Sequence, residues 1–285
     1  MSGDGARVAG GTGPDSGTVR FAVVTGATGG IGSAICAALA DSGHAVLAHY
    51  GSREERAREL QQKLRDRGAR CHLIGADLGD PAGVDAVVRH VGALLEEHPE
   101  YRLTALVNNA AKMLSPSFAD TTPADFDRYF AINTRAPFFL AQGLVPLMPP
   151  GGSVVNMSSA SAHFSSPGDI SYAMSKAAVE SLTRNMAEAI ASRGIRVNAV
   201  IPGFTDNGHP GFRSAAVREY MASFAVLGGV SEPETVAAAV AFLASDAAKR
   251  TTGTTLDVSG GSTLSARGAR KHSVKELLAE DQEEV

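Results

Sequence analysis

A tyrosine and a lysine four residues apart, Tyr172 and Lys176, form the pair in this sequence that is best suited to proton transfer. On a helix, residues at this spacing share one face, so the ends of the two side chains can converge. A free phenol has a pKa near 10, too high for ready proton exchange at neutral pH. A neighbouring ammonium favours the phenolate and lowers that pKa. The pair therefore predicts a general acid for a developing alkoxide, or the base for the reverse reaction.

Serines lie shortly before this pair, at the end of a short apolar run: Ser158, Ser159 and Ser161. A serine hydroxyl at such a place can hydrogen-bond a substrate oxygen and polarise a carbonyl group. The alternative is an ordinary loop or helix cap, for which serine is equally suited. Proximity alone leaves open which of the three serines would act.

A glycine-rich turn near the start of the chain supplies a third element of chemistry. The apolar run 21–25 ends in Gly26, and Gly30 and Gly32 lead directly into a good helix-forming segment. Strand, glycine turn and helix in this order are what a dinucleotide pyrophosphate site requires, because the helix N-terminus offers unpaired N–H groups to the phosphates. The alternative is a tight turn in another kind of α/β protein.

Strands and helices alternate through most of the chain, as needed to bring these segments together. We predict strands at 21–25, 45–49, 71–75, 105–107, 153–157, 196–200 and 255–258. We predict helices at 30–42, 54–67, 81–97, 123–147, 170–193 and 232–245, with a helical insert at 210–227. This alternation predicts an α/β fold: one doubly wound, Rossmann-type parallel sheet with helices on both faces and a small helical lid.

The domain organisation follows from composition. Residues 1–18 are rich in Gly, Ser, Asp and Thr without periodicity and predict a disordered leader. Residues 19–263 predict a single catalytic domain, with the lid at about 204–227. Residues 264–285 predict a polar tail, basic at first and acidic at its end.

The motifs occur in an order that resembles the short-chain dehydrogenase/reductase family over residues 19–263. The glycine turn has the spacing Thr-Gly-x-x-x-Gly-Ile-Gly, Asn108-Asn109-Ala110 resembles the family's Asn-Asn-Ala-Gly, and Tyr172 and Lys176 match Tyr-x-x-x-Lys. Ala111 stands where the family carries the glycine of the second motif. The separation from Tyr172 that is typical of the family selects Ser159 among the serines.

The resemblance implies a set of roles. The catalytic residues would be Asn133, Ser159, Tyr172 and Lys176, with Lys176 also binding the nicotinamide ribose and Asn133 completing a proton relay through water. Asp77 would contact the adenine, and Pro202, Gly203 and Thr205 would flank the nicotinamide amide. The full set expected to contact the cofactor is Gly26, Thr28, Gly30, Ile31, Gly32, Ser52, Arg53, Asp77, Leu78, Asn108, Ala110, Tyr172, Lys176, Pro202, Gly203 and Thr205.

The segment after the second predicted strand bears on the choice between NAD and NADP. An acidic residue there would bind the adenosine 2′-hydroxyl, whereas an arginine accommodates the 2′-phosphate. The segment His49-Tyr-Gly-Ser-Arg53 has no acid before Glu54, and Ser52 and Arg53 can hydrogen-bond a phosphate. We therefore favour NADP(H), the alternative being that Arg53 is merely a surface residue of the next helix.

The substrate is expected to meet the lid and the segments that follow the fourth and fifth strands. Candidate contacts are Met113, His163, Phe164, Phe204 and Phe212. Apolar side chains here suggest a carbonyl group on a moderately hydrophobic or ring-shaped skeleton. The lid residues could equally pack against their own helix, and His163 could be a surface histidine of a loop.

Composition excludes several other classes of function. A net charge of −4 over 285 residues gives no general attraction to nucleic acid or to an anionic membrane. Cys36 and Cys71 lack metal-ligand spacing, so we expect no metal site and a reducing, cytoplasmic location. By resemblance, we expect a homotetramer or homodimer.

The sequence thus favours an NADPH-dependent ketoreductase, or a secondary-alcohol dehydrogenase working in the reverse direction. Two alternatives stay open. One is an enzyme on the same fold that carries out dehydration or epimerisation with a retained cofactor. The other is a non-catalytic dinucleotide-binding or regulatory protein, against which the combination of Ser159, Tyr172 and Lys176 argues.

Overall fold

The computed structural model describes residues 17–208 and 210–264. Its strands are β1 (Val19–Val24), β2 (His44–Tyr50), β3 (Cys71–Gly75), β4 (Tyr101–Asn108), β5 (Ser153–Met157), β6 (Arg196–Pro202) and β7 (Thr255–Val258). Its α-helices are α1 (Gly30–Asp41), α2 (Glu54–Asp66), α3 (Pro81–Glu97), α4 (Pro123–Phe130), α5 (Ala136–Leu144), α6 (Ile170–Ala189), α7 (Ala215–Ala222) and α8 (Pro233–Ala244). The predicted leader up to residue 16, the tail from residue 265 and His209 of the lid lie outside the described residues.

The strands form one parallel sheet in the order β3-β2-β1-β4-β5-β6-β7. The chain winds outward from β1 in one direction and then returns to β4 to wind in the other, so the strand order reverses between β1 and β4. The carboxyl ends of the strands open a crevice at such a reversal, and ligands of doubly wound folds bind there. The predicted fold class is confirmed.

Each face of the sheet is covered by helices, which explains why the strands are almost continuously apolar. One core cluster joins the sheet to α3 and α5, with Val87, Val91 and Leu140 fully buried. The other joins it to α1, α2 and α8 and includes Ile35 and Val240. A sheet packed tightly on both sides is a rigid platform for side chains at its carboxyl edge.

The structure differs most from expectation in the predicted long helix 123–147. It begins at Pro123 with a capping box between Thr122 and Asp125, but a π-helical turn at Ala131–Arg135 separates α4 from α5. A 3₁₀ turn, Val145–Leu147, ends the segment. A π turn widens the helix by one residue, and such turns occur frequently at functional sites.

The lid comprises a 3₁₀ turn, Pro210–Arg213, followed by α7. Phe212, Val217 and Met221 form a small buried cluster of their own. Phe212 and Met221 also line the large cavity described below. The same side chains therefore pack the lid and line the cavity, and their contact with a substrate stays a prediction.

Candidate active site

A cavity of about 1450 Å³ lies over the carboxyl edge of the sheet at the point where the strand order reverses. Pockets for a single drug-sized molecule are typically about 300–1,000 Å³, so this one has room for a dinucleotide and a substrate together. Its wall includes the glycine turn, the ends of β2, β4, β5 and β6, the start of α6 and the lid. All the chemistry-bearing segments of the sequence therefore meet in one place.

The glycine turn is shaped for close approach of backbone groups. Gly26 has a φ of +66°, a conformation that a side chain would strain. A Cβ on Gly32 would lie 2.7 Å from Nδ2 of Asn109 and closer still to the carbonyl oxygen of Gly26. A Cβ on Gly30 would lie 2.7 Å from the Cα of Asn207 in the lid. The turn thus forms a cradle without side chains at the N-terminus of α1, which fits a pyrophosphate.

His49 at the end of β2 holds this turn in place, a role that the sequence did not suggest. Its Nδ1 accepts from the backbone N–H of Gly26 at 3.2 Å, while its Nε2 lies 3.0 Å from the carbonyl oxygen of Ala76. This arrangement requires the neutral tautomer with hydrogen on Nε2. Burial lowers the pKa of His49, which favours that neutral form.

Ser52 and Arg53 line the same cavity beyond the end of β2, and both are exposed. The cavity that they line also contains the glycine turn, and their contact with the adenosine ribose stays a prediction. Leu78 lines the cavity beside them.

Asp77 also lines the cavity, and its carboxylate accepts two hydrogen bonds from Arg128 of α4, at 2.7 and 2.8 Å. The hydrogen bond to Arg128 is the main cause of a lowered pKa of Asp77. Arg128 thereby becomes a further cavity residue that the sequence did not indicate.

The Asn108-Asn109-Ala110 segment is arranged differently from expectation at its first residue. Asn108 lies inside the sheet, where its Nδ2 donates to Oδ1 of Asn156 at 2.8 Å, and it is not part of the cavity wall. Asn109 and Ala110 form the wall, and Asn109 ties the motif to β1 through the carbonyl oxygen of Thr25 at 2.9 Å. The reason is that Asn108 is the last residue of β4 and its side chain points toward the neighbouring strand, whereas the next residues leave the sheet.

Asn133 lies within the π turn, buried and behind the cavity wall. Its Oδ1 accepts from the backbone N–H of Lys112 at 2.8 Å, and its Nδ2 donates to Oγ of Ser175 at 2.9 Å. It therefore links the segment after β4 to α6, the helix of Tyr172. The predicted relay through water stays a prediction.

The three serines after β5 have distinct surroundings. Ser158 is buried, and its Oγ donates to Oε1 of Glu180 at 2.6 Å. Ser159 faces the cavity, is hydrogen-bonded to Tyr172, and accepts from Oγ of Ser161 at 3.0 Å. The backbone N–H of Ser161 also donates to Oγ of Ser159, at 3.2 Å, and a serine hydroxyl that accepts can still donate its own hydrogen to Tyr172 or to a substrate oxygen. The geometry thus agrees with the choice of Ser159.

Tyr172 and Lys176 converge as their spacing predicts, with Nζ of Lys176 5.7 Å from the centre of the Tyr172 ring. Nζ also donates to the carbonyl oxygen of Met157 at 2.7 Å. Burial lowers the pKa of Lys176 to about 8. The lysine is consequently tied to the end of β5, beside Ser158 and Ser159.

In the protein without cofactor, the approach of Lys176 does not bring the pKa of the phenol below its usual value, and the expected lowering in the complex with cofactor stays a prediction. Burial raises the pKa of Tyr172 to about 12, and the hydrogen bond from Ser159 offsets only part of this effect. Desolvation penalises the phenolate more than the neighbouring groups stabilise it. Tyr172 is therefore a neutral phenol at physiological pH, which is the form that donates a proton.

The substrate side of the cavity is aromatic. The ring of Phe224 lies 4.9 Å from that of Phe204, 5.2 Å from Tyr220 and 5.3 Å from Phe164. Met113, His163 and Phe212 line the same cavity. The sequence did not single out Tyr220 and Phe224 as substrate contacts, although both lie in the predicted lid.

Most of the predicted site residues therefore share one wall. The structure brings together Gly26, Thr28, Gly30, Ile31, Gly32, Ser52, Arg53, Asp77, Leu78, Ala110, Met113, Ser159, His163, Phe164, Tyr172, Lys176, Pro202, Gly203, Phe204, Thr205 and Phe212. Asn108 and Asn133 lie behind that wall. Among residues 17–208 and 210–264, no cluster of three or more side chains suited to a metal ion is found.

Comparison with known proteins adds to this geometry. A family model described as enoyl-(acyl carrier protein) reductase matches residues 26–263. The chain is 34% identical over 259 residues to the hydroxynaphthalene reductase-like protein Arp2 of Metarhizium majus, covering 85% of this chain and 94% of that protein.

Solved structures give the same picture. The angucycline C-6 ketoreductase LanV with bound NADP is 39% identical, with a TM-score of 0.83 over 86% of this chain and 96% of that one. LugOII, described as a promiscuous reductase that catalyses keto-reduction at C1 during lugdunomycin biosynthesis, is 38% identical. Its TM-score is 0.84, over 87% of this chain and 99% of that one.

Proposed function

The chain belongs to the short-chain dehydrogenase/reductase family, and on that premise we propose that it reduces a ketone on a hydrophobic, ring-shaped skeleton. It is an NADP-dependent oxidoreductase that acts on C=O and CH–OH groups. The observation that carries the proposal is the convergence of Ser159, Tyr172 and Lys176 on a cavity that also contains the glycine turn.

The roles of the residues follow from their contacts. Bound NADPH supplies a hydride to the carbonyl carbon, the cofactor thus providing the reducing chemistry. Ser159, whose side chain lines the cavity, hydrogen-bonds the carbonyl oxygen and polarises it. Tyr172, a neutral phenol with a pKa of about 12, donates the proton that the forming alkoxide takes up. A ketone, NADPH and a proton are thereby converted into an alcohol and NADP⁺.

The residues along the cavity fit the parts of the dinucleotide. The bare cradle of Gly26, Gly30 and Gly32 suits the pyrophosphate, and Ser52 and Arg53 suit the 2′-phosphate. We propose that Lys176, which lines the cavity and donates to the carbonyl oxygen of Met157, holds the nicotinamide ribose. The aromatic group of Phe164, Phe204 and Phe224 supports a flat apolar skeleton for the substrate.

Replacing Tyr172 by Phe tests the mechanism. We expect a loss of turnover of about 10²- to 10⁴-fold, the usual contribution of a positioned general acid, with NADPH affinity nearly unchanged. The matched control is Tyr101→Phe, at the opposite end of β4 from the cavity, which we expect to leave turnover as in the wild type. Normal turnover by the Tyr172 variant would refute the assignment.

The consumption of NADPH separates reduction from the alternative of a retained cofactor. A ketoreductase oxidises one NADPH for each carbonyl group reduced, and absorbance at the wavelength of the reduced nicotinamide falls in proportion. Dehydration or epimerisation would change the substrate while the NADPH concentration stayed constant. A protein that binds NADPH tightly but converts no carbonyl compound would support the non-catalytic alternative.

We propose in addition that the protein is a homodimer or homotetramer that assembles through α4, α5 and α6. Phe138 and Phe139 of α5 are 43% and 45% exposed, which is unusual for adjacent aromatic residues on a helix. They border a shallow groove lined by Asp127, Phe130, Ala131, Thr134, Arg135, Phe138, Phe139 and Leu182. Light scattering on the wild type and on Phe138→Asp tests this: we expect the variant to shift toward monomer, and an unchanged mass would argue against this surface.

A cytoplasmic location is proposed on the basis of the cysteines. Cys36 and Cys71 are both buried and unpaired, as is usual in a reducing compartment. Of the helices that the structure describes, none has both the length and the apolar character needed to cross a membrane.

A further inference from the structure

A buried carboxylate behind the catalytic loop is not used by the mechanism described above. Glu180 lies on α6, one turn beyond Lys176, and its side chain is only 10% exposed. Its Oε1 accepts from Oγ of Ser158 at 2.6 Å and lies 2.8 Å from Nε2 of His163. A buried carboxylate is retained in a fold only where its hydrogen-bond partners are well placed, and here both partners belong to the segment that carries Ser159.

This carboxylate fixes the ring of His163. A carboxylate is an acceptor, so Nε2 of the histidine carries the hydrogen and donates it to Glu180. The backbone N–H of His163 donates to the carbonyl oxygen of Ala160 at 2.9 Å, which fixes the main chain as well. The remaining ring nitrogen, Nδ1, is then the polar atom that the side chain can offer to a molecule in the cavity that it lines.

A second charged group, besides Glu180, interacts with this histidine. Asp257 on β7 interacts electrostatically with His163, and its own oxygens accept from Ser259 and Thr263. With neutral imidazole, Nδ1 accepts a hydrogen bond from a hydroxyl group. With imidazolium, the same atom donates to a phenolate or carbonyl oxygen. In either form His163 binds an oxygen substituent.

The surroundings of His163 define the skeleton that would bear this oxygen. Phe164, the next residue, contacts the ring of Phe224 at 5.3 Å, and Phe204 completes the aromatic wall. Ser159, which faces the reacting carbonyl, precedes His163 by four residues on the same loop. A flat molecule on this wall would thus meet a polar atom at the reacting carbonyl and a second one at His163.

We propose that His163, held by Glu180, is a specificity-determining residue that binds a hydroxyl or phenolic oxygen on the ring skeleton of the ketone. The inference rests on the proposed reduction of a ring ketone and adds a second point of recognition. Glu180 acts as a positioning residue, since it does not itself line the cavity and reaches it only through Ser158 and His163. The favoured substrates are therefore hydroxylated ring ketones rather than plain ones.

The test compares 1-tetralone, a fused-ring ketone, with its isomers that bear one ring hydroxyl group. With saturating NADPH, we expect the wild type to show a kcat/KM for at least one hydroxylated isomer about five- to tenfold above that for 1-tetralone, the value of one hydrogen bond. Equal values for all the isomers and the parent compound would overturn the proposal.

His163→Phe keeps a planar ring and removes both nitrogens. We expect the ratio of kcat/KM between the preferred hydroxylated isomer and 1-tetralone to fall to about one. In His163→Gln the side-chain amide is occupied by the hydrogen bond to Glu180, so we expect the same fall in the ratio. This variant replaces His163→Phe in the test if the latter does not fold. His90→Phe, on α3 and outside the cavity wall, is the matched control and should keep the wild-type ratio. A wild-type ratio in both His163 variants would refute the assignment.

The role of Glu180 is tested by a pair of variants. Glu180→Gln retains an oxygen that accepts from His163, so the ratio should persist. Glu180→Ala releases the ring, so the ratio should fall toward one while NADPH binding is retained. If Glu180 had a merely structural role, its loss would change kcat/KM equally for both ketones and leave the ratio as it was. That result would contradict a positioning role for Glu180.

Calorimetry separates a failure of this inference from a failure of the proposed function. The dissociation constants of 1-tetralone and its preferred hydroxylated isomer are measured on the wild type and on His163→Phe, each saturated with NADP⁺. Tighter binding of the hydroxylated isomer, lost in the variant, supports the inference even if no turnover occurs. Reduction of both ketones with equal affinity in both proteins would support the function and overturn the inference. Binding of neither ketone would overturn the inference too.

Discussion

Replacing Lys176 by Met should uncover the stability cost of keeping a charged catalytic group in the interior. Lys176 is 2% exposed, and burial lowers its pKa from 10.5 to about 8. A difference of this size between the folded and unfolded protein corresponds to about 3 kcal/mol, at about 1.4 kcal/mol for each pKa unit. The methionine side chain has a similar length and carries no charge.

The sign and the pH range follow from proton linkage. Between pH 8 and 10.5 the unfolded chain holds the proton of Lys176 more tightly than the folded protein, so the free energy of unfolding rises with pH. The cost is complete below pH 8 and absent above 10.5. The wild type should therefore gain about 3 kcal/mol from this residue over that range, whereas Lys176→Met gains none of it.

One contribution of the substitution does not depend on pH. The carbonyl oxygen of Met157 loses its hydrogen bond from Nζ, at a cost of about 1–3 kcal/mol. At pH 7.5 this loss offsets much of the gain from removing the charge, so the two proteins should differ by no more than about 2 kcal/mol. The informative quantity is the change in their difference with pH.

Urea unfolding at pH 7.5, 8.5, 9.5 and 10 measures this quantity, with Lys249→Met, at an exposed lysine, as the control. The free energy of unfolding of the wild type should rise with pH relative to that of Lys176→Met, so that any advantage of the variant at pH 7.5 is lost or reversed by pH 10, while the control stays parallel to the wild type. Turnover by Lys176→Met should be lost, in agreement with its proposed place at the ribose. If the curve of Lys176→Met ran parallel to that of the wild type, the inference that the buried charge of Lys176 lowers the stability of the protein would be refuted.

Two further predictions concern the cofactor and acid stability. Arg53→Ala should weaken NADPH binding about five- to tenfold while leaving NADH binding nearly unchanged, because the contact that we propose for this exposed arginine is with the 2′-phosphate alone. Fluorescence titration checks this, and an equal loss for both cofactors would contradict it. Burial lowers the pKa of His44 from 6.5 to about 4, so the unfolded chain takes up the proton first and the wild type should lose stability as the pH falls from 6.5 to 4. Over this pH range, the free energy of unfolding of His44→Leu, measured with urea, should fall by about 3 kcal/mol less than that of the wild type. An equal fall in the two proteins would disprove the prediction.

The sequence predicted the bounds of some elements correctly. The apolar run of β5 and the helix of α3, with its proline in the first turn, both begin and end where expected. Strand ends were less well predicted where the pairing partner decides them. β4 extends back to Tyr101 because Val19 pairs with that residue, which no local pattern indicates.

The contacts that could not be predicted are those between segments far apart in the chain. The π turn around Asn133 depends on bonds from Asn133 to Lys112 and to Ser175 of α6. Glu180 appeared as one more polar residue of a long helix, and only the fold shows that it is buried against Ser158 and His163. A helical period gives the face on which a side chain lies but not the partner that the face meets.

The pKa of Tyr172 is a further property that the sequence could not predict. Spacing correctly predicts that Lys176 approaches the phenol, and proximity alone implies a lowered pKa. Lys176 is buried and Tyr172 is partly buried, however, and desolvation disfavours the ammonium and the phenolate alike, so the pKa of Tyr172 rises to about 12 and that of Lys176 falls to about 8. The magnitude of desolvation depends on atoms from β5, α6 and the serine loop together. A neutral phenol hydrogen-bonded to Ser159 can give up a proton to a forming alkoxide, which is the proton transfer that reduction of a ketone requires.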